Sequence, residues 1–194
     1  MIDYEVYSLG ELLDQLNVEN VEEKLQGEFK KFSCPNERDL ESFLVHKAIE
    51  YQRIQFGKTF LFLNSKSLSN NILDIMAFFT TGQTAIDISD LTQKKKRRVI
   101  GSGIPGRDHM KSIPGFLIGQ IGRDERYSHD DLSGEQILKE CYKKIEEART
   151  IIGGNIIILE CRKKMFELFY EKQGFKQLSA TKGDELMKLY KRIA

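Results

Sequence analysis

The sequence predicts an α/β (α+β) domain built on a mixed, mostly antiparallel sheet with helices on both faces. Three observations predict it. Strand candidates cluster between residues 59 and 88. A strong amphipathic helix follows Ser133. Gly153 to Phe175, GGNIIILECRKKMFELFYEKQGF, then reads as strand, short helix and the opening of another strand. Antiparallel strands followed by a strand–helix–strand unit with a right-handed crossover give a mixed sheet covered on both sides.

The elements follow in order. Leu9, Leu12, Leu13 and Leu16 recur at helical spacing, so residues 1–28 predict a helical extension of one or two short helices. Residues 37–52 predict a helix with Leu40, Phe43, Leu44, Ala48 and Tyr51 on one face and Asn36 as its N-cap. Thr59 to Asn64 is dense in aromatic and apolar residues and predicts a strand. Ile72 to Thr80 and Gln83 to Ile88 predict two more, joined by a turn at Thr81-Gly82. The basic run 94–98 predicts part of a long connection ending near Pro105-Gly106. Pro114 to Gly122 predicts a strand with internal glycines, a mark of a bulge or a close backbone approach. Ser133 with Gln136 three residues on forms a capping box for a helix whose buried stripe is Ile137, Leu138, Cys141, Ile145 and Ala148. A strand at 155–161, a helix at 163–173 and strands near 175–178 and 186–193 complete the series.

Composition bounds the function. The 194 residues fit one domain, 1–194, with the extension at 1–28 and a core at 29–194. No apolar run approaches the roughly 18 residues of a membrane span, and the acidic N-terminus lacks the layout of a signal peptide. Cys34, Cys141 and Cys161 are widely spaced, which argues against a disulfide framework or zinc site and favours a reducing cytoplasm. His46, His109 and His129 have no metal-ligand spacing, so no metal is expected. The net charge of +1 hides an asymmetry. Residues 1–26 hold seven acids against Lys24, and residues 91–111 hold seven bases against Asp108. The run Lys94, Lys95, Lys96, Arg97, Arg98 is either a solvated loop or a contact for nucleic-acid phosphates.

Several short motifs resemble the GNAT superfamily of acetyl-CoA-dependent N-acetyltransferases, over roughly residues 30–193. Within it the chain is most similar to the toxin branch of bacterial toxin–antitoxin modules, which acetylate the amino group of aminoacyl-tRNA. The motifs are Phe32-Ser33-Cys34, then Leu40-Glu41-Ser42-Phe43-Leu44; Ala48 to Gln55 leading to Thr59-Phe60-Leu61; Ala77-Phe78-Phe79-Thr80; Pro114-Gly115-Phe116-Leu117-Ile118-Gly119-Gln120-Ile121; and Tyr170-Glu171-Lys172-Gln173-Gly174-Phe175. The departure lies in the phosphate loop. The superfamily has Gln/Arg-x-x-Gly-x-Gly/Ala, where small residues let backbone N–H groups close on the CoA pyrophosphate. This chain has Arg126 to Gly134 (RYSHDDLSG), with two glycines replaced.

The resemblance implies acetyl-CoA as cofactor, held by Gln120, Ile121, Gly122, Arg126, Ser128, His129, Ser133, Gly134 and Glu135. It implies that Tyr170 hands a proton to the departing CoA sulfur, against the alternative of a plain core aromatic. Glu160 is the candidate base, against an exposed strand-end carboxylate. A base is dispensable, because α-amino groups titrate near 7.7–8.0 and are in part neutral at pH 7. The implied acceptor is an amine, aminoacyl-tRNA in the toxin branch, with a small amine or protein lysine as the alternative. A binding protein that has lost catalysis is a further alternative. An antitoxin protein and a second copy in a homodimer are the partners this resemblance allows.

Overall fold

A computed structural model describes residues 2–15, 21–178 and 186–193. In chain order the elements are β1 (Tyr4–Ser8), α1 (Leu9–Gln15), α2 (Val21–Phe29), α3 (Arg38–His46), α4 (Ala48–Arg53), β2 (Lys58–Asn64), α5 (Ser65–Leu68), β3 (Ile75–Asp87), α6 (Gln93–Ile100), β4 (Ser112–Arg123), α7 (Gly134–Ile152), β5 (Ile156–Arg162), α8 (Lys163–Met165), β6 (Lys176–Gln177) and β7 (Leu186–Arg192). The strands order as β1-β2-β3-β4-β5-β7-β6. β1/β2, β2/β3, β5/β7 and β6/β7 pair antiparallel, and β4/β5 pairs parallel. The mixed, mostly antiparallel sheet expected from the sequence is therefore present. The chain divides into two compact units, Met1–Gly82 with Gln120–Ile145, and Gln83–Gly119 with Glu146–Ala194.

In the first unit, strand alternation sorts the aromatics onto two faces. Leu61, Leu63 and Phe78 join Phe29, Phe32, Phe43 and Leu44 in one core. Phe78 takes the edge of Phe32 at 5.3 Å and stacks on Phe43 at 6.3 Å. Phe60, Phe62 and Phe79 form a separate aromatic group, where Lys144 of α7 lies over the Phe60 ring. The Ser133 box holds: Ser133 N–H donates to Gln136 Oε1 at 2.8 Å and Gln136 N–H to Ser133 Oγ at 3.2 Å. Ile137, Leu138, Cys141 and Ile145 are buried as their spacing predicts.

The second unit has its own apolar cluster of Ile86, Ile88, Val99, Ile100, Ile113, Ile156, Ile158, Leu178 and Tyr190. Past α7 the chain turns on Gly153 and Gly154, with φ of 73° and 105°. A Cβ on Gly154 would stand 2.9 Å from Phe116 Cε2. Gly154→Ala is therefore expected to cost about 2 kcal/mol, from positive φ and overpacking together. Urea denaturation checks this, and an unchanged midpoint would mean that the Phe116 ring gives way freely.

The structure departs from the sequence reading in six places. Tyr4–Ser8 is a strand on the sheet edge, not part of a helical extension, and Leu16 lies outside the described residues. The helix at 37–52 is two, α3 and α4, parted at Lys47, and its N-cap is Glu37 without a side-chain bond. The two strands around Thr81-Gly82 are one continuous β3, with Gly82 inside it. The basic run is helical, with Thr92 as its cap. Beyond Met165 the short helix widens into a π-helical turn over Phe166–Tyr170. The strand expected near 175–178 is reduced to Lys176–Gln177.

Candidate functional site

Each unit carries one set of the residues singled out by sequence. In the first unit, β4 runs into the 124–133 loop and the start of α7. Gln120 N–H donates to the hydroxyl of buried Thr80 at 2.8 Å, a side-chain rather than backbone acceptor. Gln120, Ile121 and Gly122 are half-buried. Gly122 has a packing reason to be glycine, since a Cβ there would meet Leu40 Cδ1 at 2.7 Å.

Asp124 organises the loop. It is fully buried and its carboxylate accepts Ser33 N–H at 3.1 Å, Arg126 N–H at 2.9 Å and the Arg126 guanidinium at 2.9 and 3.1 Å. Arg126 also pairs with Asp74 at 3.2 Å. The Asp124 hydrogen bonds push the guanidinium pKa further up. Tyr127 is buried and donates its hydroxyl to Asp74. Glu125 closes a second clip on the same residue as Asp124: its N–H donates to the Ser33 carbonyl at 2.8 Å, and Ser33 Oγ donates to its carboxylate at 2.6 Å. The Phe32-Ser33-Cys34 motif thus has a structural task, with Phe32 in the core and Ser33 fastening the loop.

Sequence reading missed a second capping box directly before the first. Ser128 N–H and Oγ both donate to Asp131 Oδ2 at 2.8 Å, and Asp131 N–H donates back to Ser128 Oγ at 3.3 Å. The spacing S-x-x-D was available as a signal. The Ser128 backbone bond, then its hydroxyl bond, hold the Asp131 carboxyl below the usual carboxylate range. His129 and Asp130 are exposed. Ser133, Gly134 and Glu135 stand at the first turn of α7, where helix N–H groups and dipole favour an anion.

In the second unit, Tyr170 is 6 % exposed and closes the π-helical turn. Its ring meets Phe169 at 5.1 Å and Phe175 at 5.6 Å, both edge-on. Glu160 is exposed on β5, opposite Lys188 of β7, and the two side chains pair at 3.4 Å. α6 separates its cations by face. Lys96 is buried with Val99 and Ile100, and its Nζ donates to the Met110 carbonyl at 2.9 Å. Lys94, Arg97 and Arg98 are exposed at i, i+3, i+4 spacing, one stripe of the helix, and Lys95 is half-exposed.

For a CoA diphosphate, the parts of this chain that fit are the first turn of α7 and the glycine at its start. Arg126, bound to two carboxylates, and Asp131, seated on the Ser128 donors, are the parts that do not.

No family model and no curated protein matches the sequence. Solved structures do match. AtaT complexed with acetyl-methionyl-tRNAfMet is 17% identical, over 98% of this chain and 95% of that one, with a TM-score of 0.68. This chain has the GNAT fold. A mutant AtaT toxin bound to the C-terminus of the antitoxin AtaR and acetyl-CoA is 12% identical, over 98% and 93% of the two chains, with a TM-score of 0.66. A tyrosine-to-phenylalanine mutant of KacT is 16% identical, over 82% and 85%, with a TM-score of 0.64. Toxin GNATs are thus among the structures this GNAT-fold chain resembles, and at these identities the likeness is one of fold.

Proposed function

We propose that this protein is an acetyl-CoA-dependent N-acetyltransferase of the toxin kind, whose acceptor is the amino group of an aminoacyl-tRNA. The observation that carries the reading is the likeness to AtaT over nearly the whole length of both chains. The AtaT–AtaR complex suggests an antitoxin as protein partner.

Acetyl-CoA would supply a thioester carbonyl as electrophile. The backbone at Gly134 and Glu135 would meet its diphosphate, with the Ser133 N–H kept by Gln136 and its hydroxyl at the same helix start, and the Gln120 to Gly122 stretch would lie along its arm. Tyr170 would hold the proton needed by a departing thiolate. Glu160, the candidate base, pairs with Lys188 at the surface, and the reading does not depend on it: the acceptor amine can arrive neutral by its own acidity, which the adjoining ester of an aminoacyl group favours. The exposed stripe Lys94, Arg97, Arg98, with Lys95 beside it, would contact tRNA phosphates, while Lys96 is a fastener.

Incubation with labelled acetyl-CoA and a set of charged tRNAs tests the reading, scored by acetylated amino acid on the tRNA. Transfer to a small amine or protein lysine alone would move the acceptor, and absence of transfer to every charged tRNA would reject the tRNA reading. Replacing Lys94, Arg97 and Arg98 together by Gln is expected to flatten the salt dependence of tRNA binding by about 2 in log–log slope, one step of 0.7–0.9 per lost phosphate contact. An unchanged slope would remove α6 from the tRNA surface.

One observation favours a second reading, a GNAT-fold binding protein without catalysis. The tandem capping boxes already use the N–H groups of Ser128, Asp131, Ser133 and Gln136. Calorimetry separates the two, because only the first requires acetyl-CoA to bind.

A further inference from the structure

We infer that Asp131 sets the affinity of this chain for a diphosphate-bearing acyl donor, by holding a carboxylate on the donors of the turn before α7. The inference rests on the acetyl-CoA reading above and adds a residue that tunes it.

The carboxylate is fixed in place from several directions. Its Oδ2 takes both the N–H and the hydroxyl of Ser128. The Asp131 carbonyl accepts Ile2 N–H at 3.0 Å. The next residue, Leu132, is fully buried; its N–H donates to the Ser128 carbonyl at 3.2 Å and its own carbonyl accepts from the Arg123 guanidinium at 2.6 Å. A side chain so anchored does not swing aside at the cost of one rotamer, because the backbone on both sides of it is bonded.

Two effects then act against a diphosphate. The first is occupancy: the donors of Ser128 already serve an anion that belongs to the chain. The second is charge. Residues 123–131 carry Asp124, Glu125, Asp130 and Asp131 against Arg123 and Arg126. Of those two cations, Arg126 is shared by Asp124 and Asp74, and Arg123 is turned to the Leu132 carbonyl. Asp131 therefore remains an anion beside the first turn of α7; the Ser128 bonds hold it so first, and the charges of the N-terminus and Arg123 add a smaller share.

Asp131→Asn removes the charge and keeps a carbonyl acceptor for Ser128. Asp131→Gly removes both the charge and the acceptor. Calorimetry with acetyl-CoA on the full chain is expected to show Asp131→Asn binding about tenfold tighter than wild type, the scale of one like charge a few ångströms from a phosphate near a surface. Asp131→Gly is expected to bind at least as tightly as Asp131→Asn. Ligand-free melting of all three proteins shows whether the turn survives, and a purely structural role would lower melting without raising affinity. Wild-type binding with both variants unchanged within about twofold overturns the role of Asp131 and leaves the acetyl-CoA reading standing. Absence of binding in all three proteins overturns the acetyl-CoA reading and this inference with it.

Discussion

Tyr170→Phe is expected to lower acetyl transfer about 1,000-fold, the middle of the range for losing a positioned general acid, while the protein stays folded. The ring is the buried part of the residue. It packs edge-on against Phe169 and Phe175, and phenylalanine keeps both contacts. What is lost is the hydroxyl with its hydrogen-bonding capacity, a stability cost of about 1 kcal/mol. The backbone around it is unusual. Phe166–Tyr170 is a π-helical turn, with Glu171 N–H reaching the Phe166 carbonyl at 2.9 Å and Phe175 N–H reaching the Tyr170 carbonyl at 3.1 Å. Such wide turns are rare, and they are frequent at functional sites. The decisive measurement is single-turnover transfer alongside thermal melting. A large fall in rate with KM for acetyl-CoA little changed marks a proton donor. A Tyr170→Phe variant that transfers at more than about a third of the wild-type rate marks a packing residue, since loss of a general acid typically costs about 100-fold or more. Glu160→Gln is the internal contrast: its carboxylate sits in a surface pair with Lys188, and its loss is expected to leave the rate within about threefold.

What was legible in the sequence follows from how local each signal is. α7 was legible because its capping box and its buried stripe both lie within one element. β2 and β5 were legible because their apolar runs are short, dense and bounded. β1 was not. It is a half-buried edge strand without clear alternation, and the leucines directly after it carry a helical period that masks it. α6 was not, because a run of cations has no apolar period; its burial depends on Lys96 reaching the Met110 carbonyl, 14 residues away. The turn signal at Thr81-Gly82 was overridden by pairing, with Lys58 of β2 set against Thr81. Among the candidate residues, the loop was located by sequence and its internal bonding was not. Arg126 reads as a free cation until Asp74, 52 positions earlier, is placed beside it. The tandem box at Ser128 and Asp131 was within reach of sequence, since both residues sit in one turn three positions apart.

Asp124→Ala is expected to destabilise the protein by about 3 kcal/mol, the low end of breaking a buried charge pair from one side. The carboxylate is fully buried, yet Arg126, its main partner, has a side chain 47% exposed, so water takes over part of the guanidinium when Asp124 is removed. The backbone has partial recourse, since both of its bonds to Asp124 are only part-buried. Ser33 N–H and Arg126 N–H both lose their acceptor, and for such part-buried groups the cost lies near the low end of about 1–3 kcal/mol each. Arg126 would then be left to Asp74 and the Ile75 carbonyl, which draws the guanidinium towards β3. Asp124→Asn tests the same logic more gently. Its amide oxygen can satisfy one of the two N–H groups and its NH2 faces donors, so the loss is expected to fall between zero and that of alanine. Ser33→Ala removes only the hydroxyl bond to Glu125 and leaves both Ser33 backbone bonds, so about 0.5–1 kcal/mol is expected there. Urea denaturation of the three variants gives the ranking. If alanine at position 124 costs no more than alanine at position 33, the loop is held by its capping boxes and by Leu132, and Asp124 is not its anchor. If the expected order is found, the residues nominated for the cofactor stand on a support whose centre is a carboxylate that the cofactor itself would never touch.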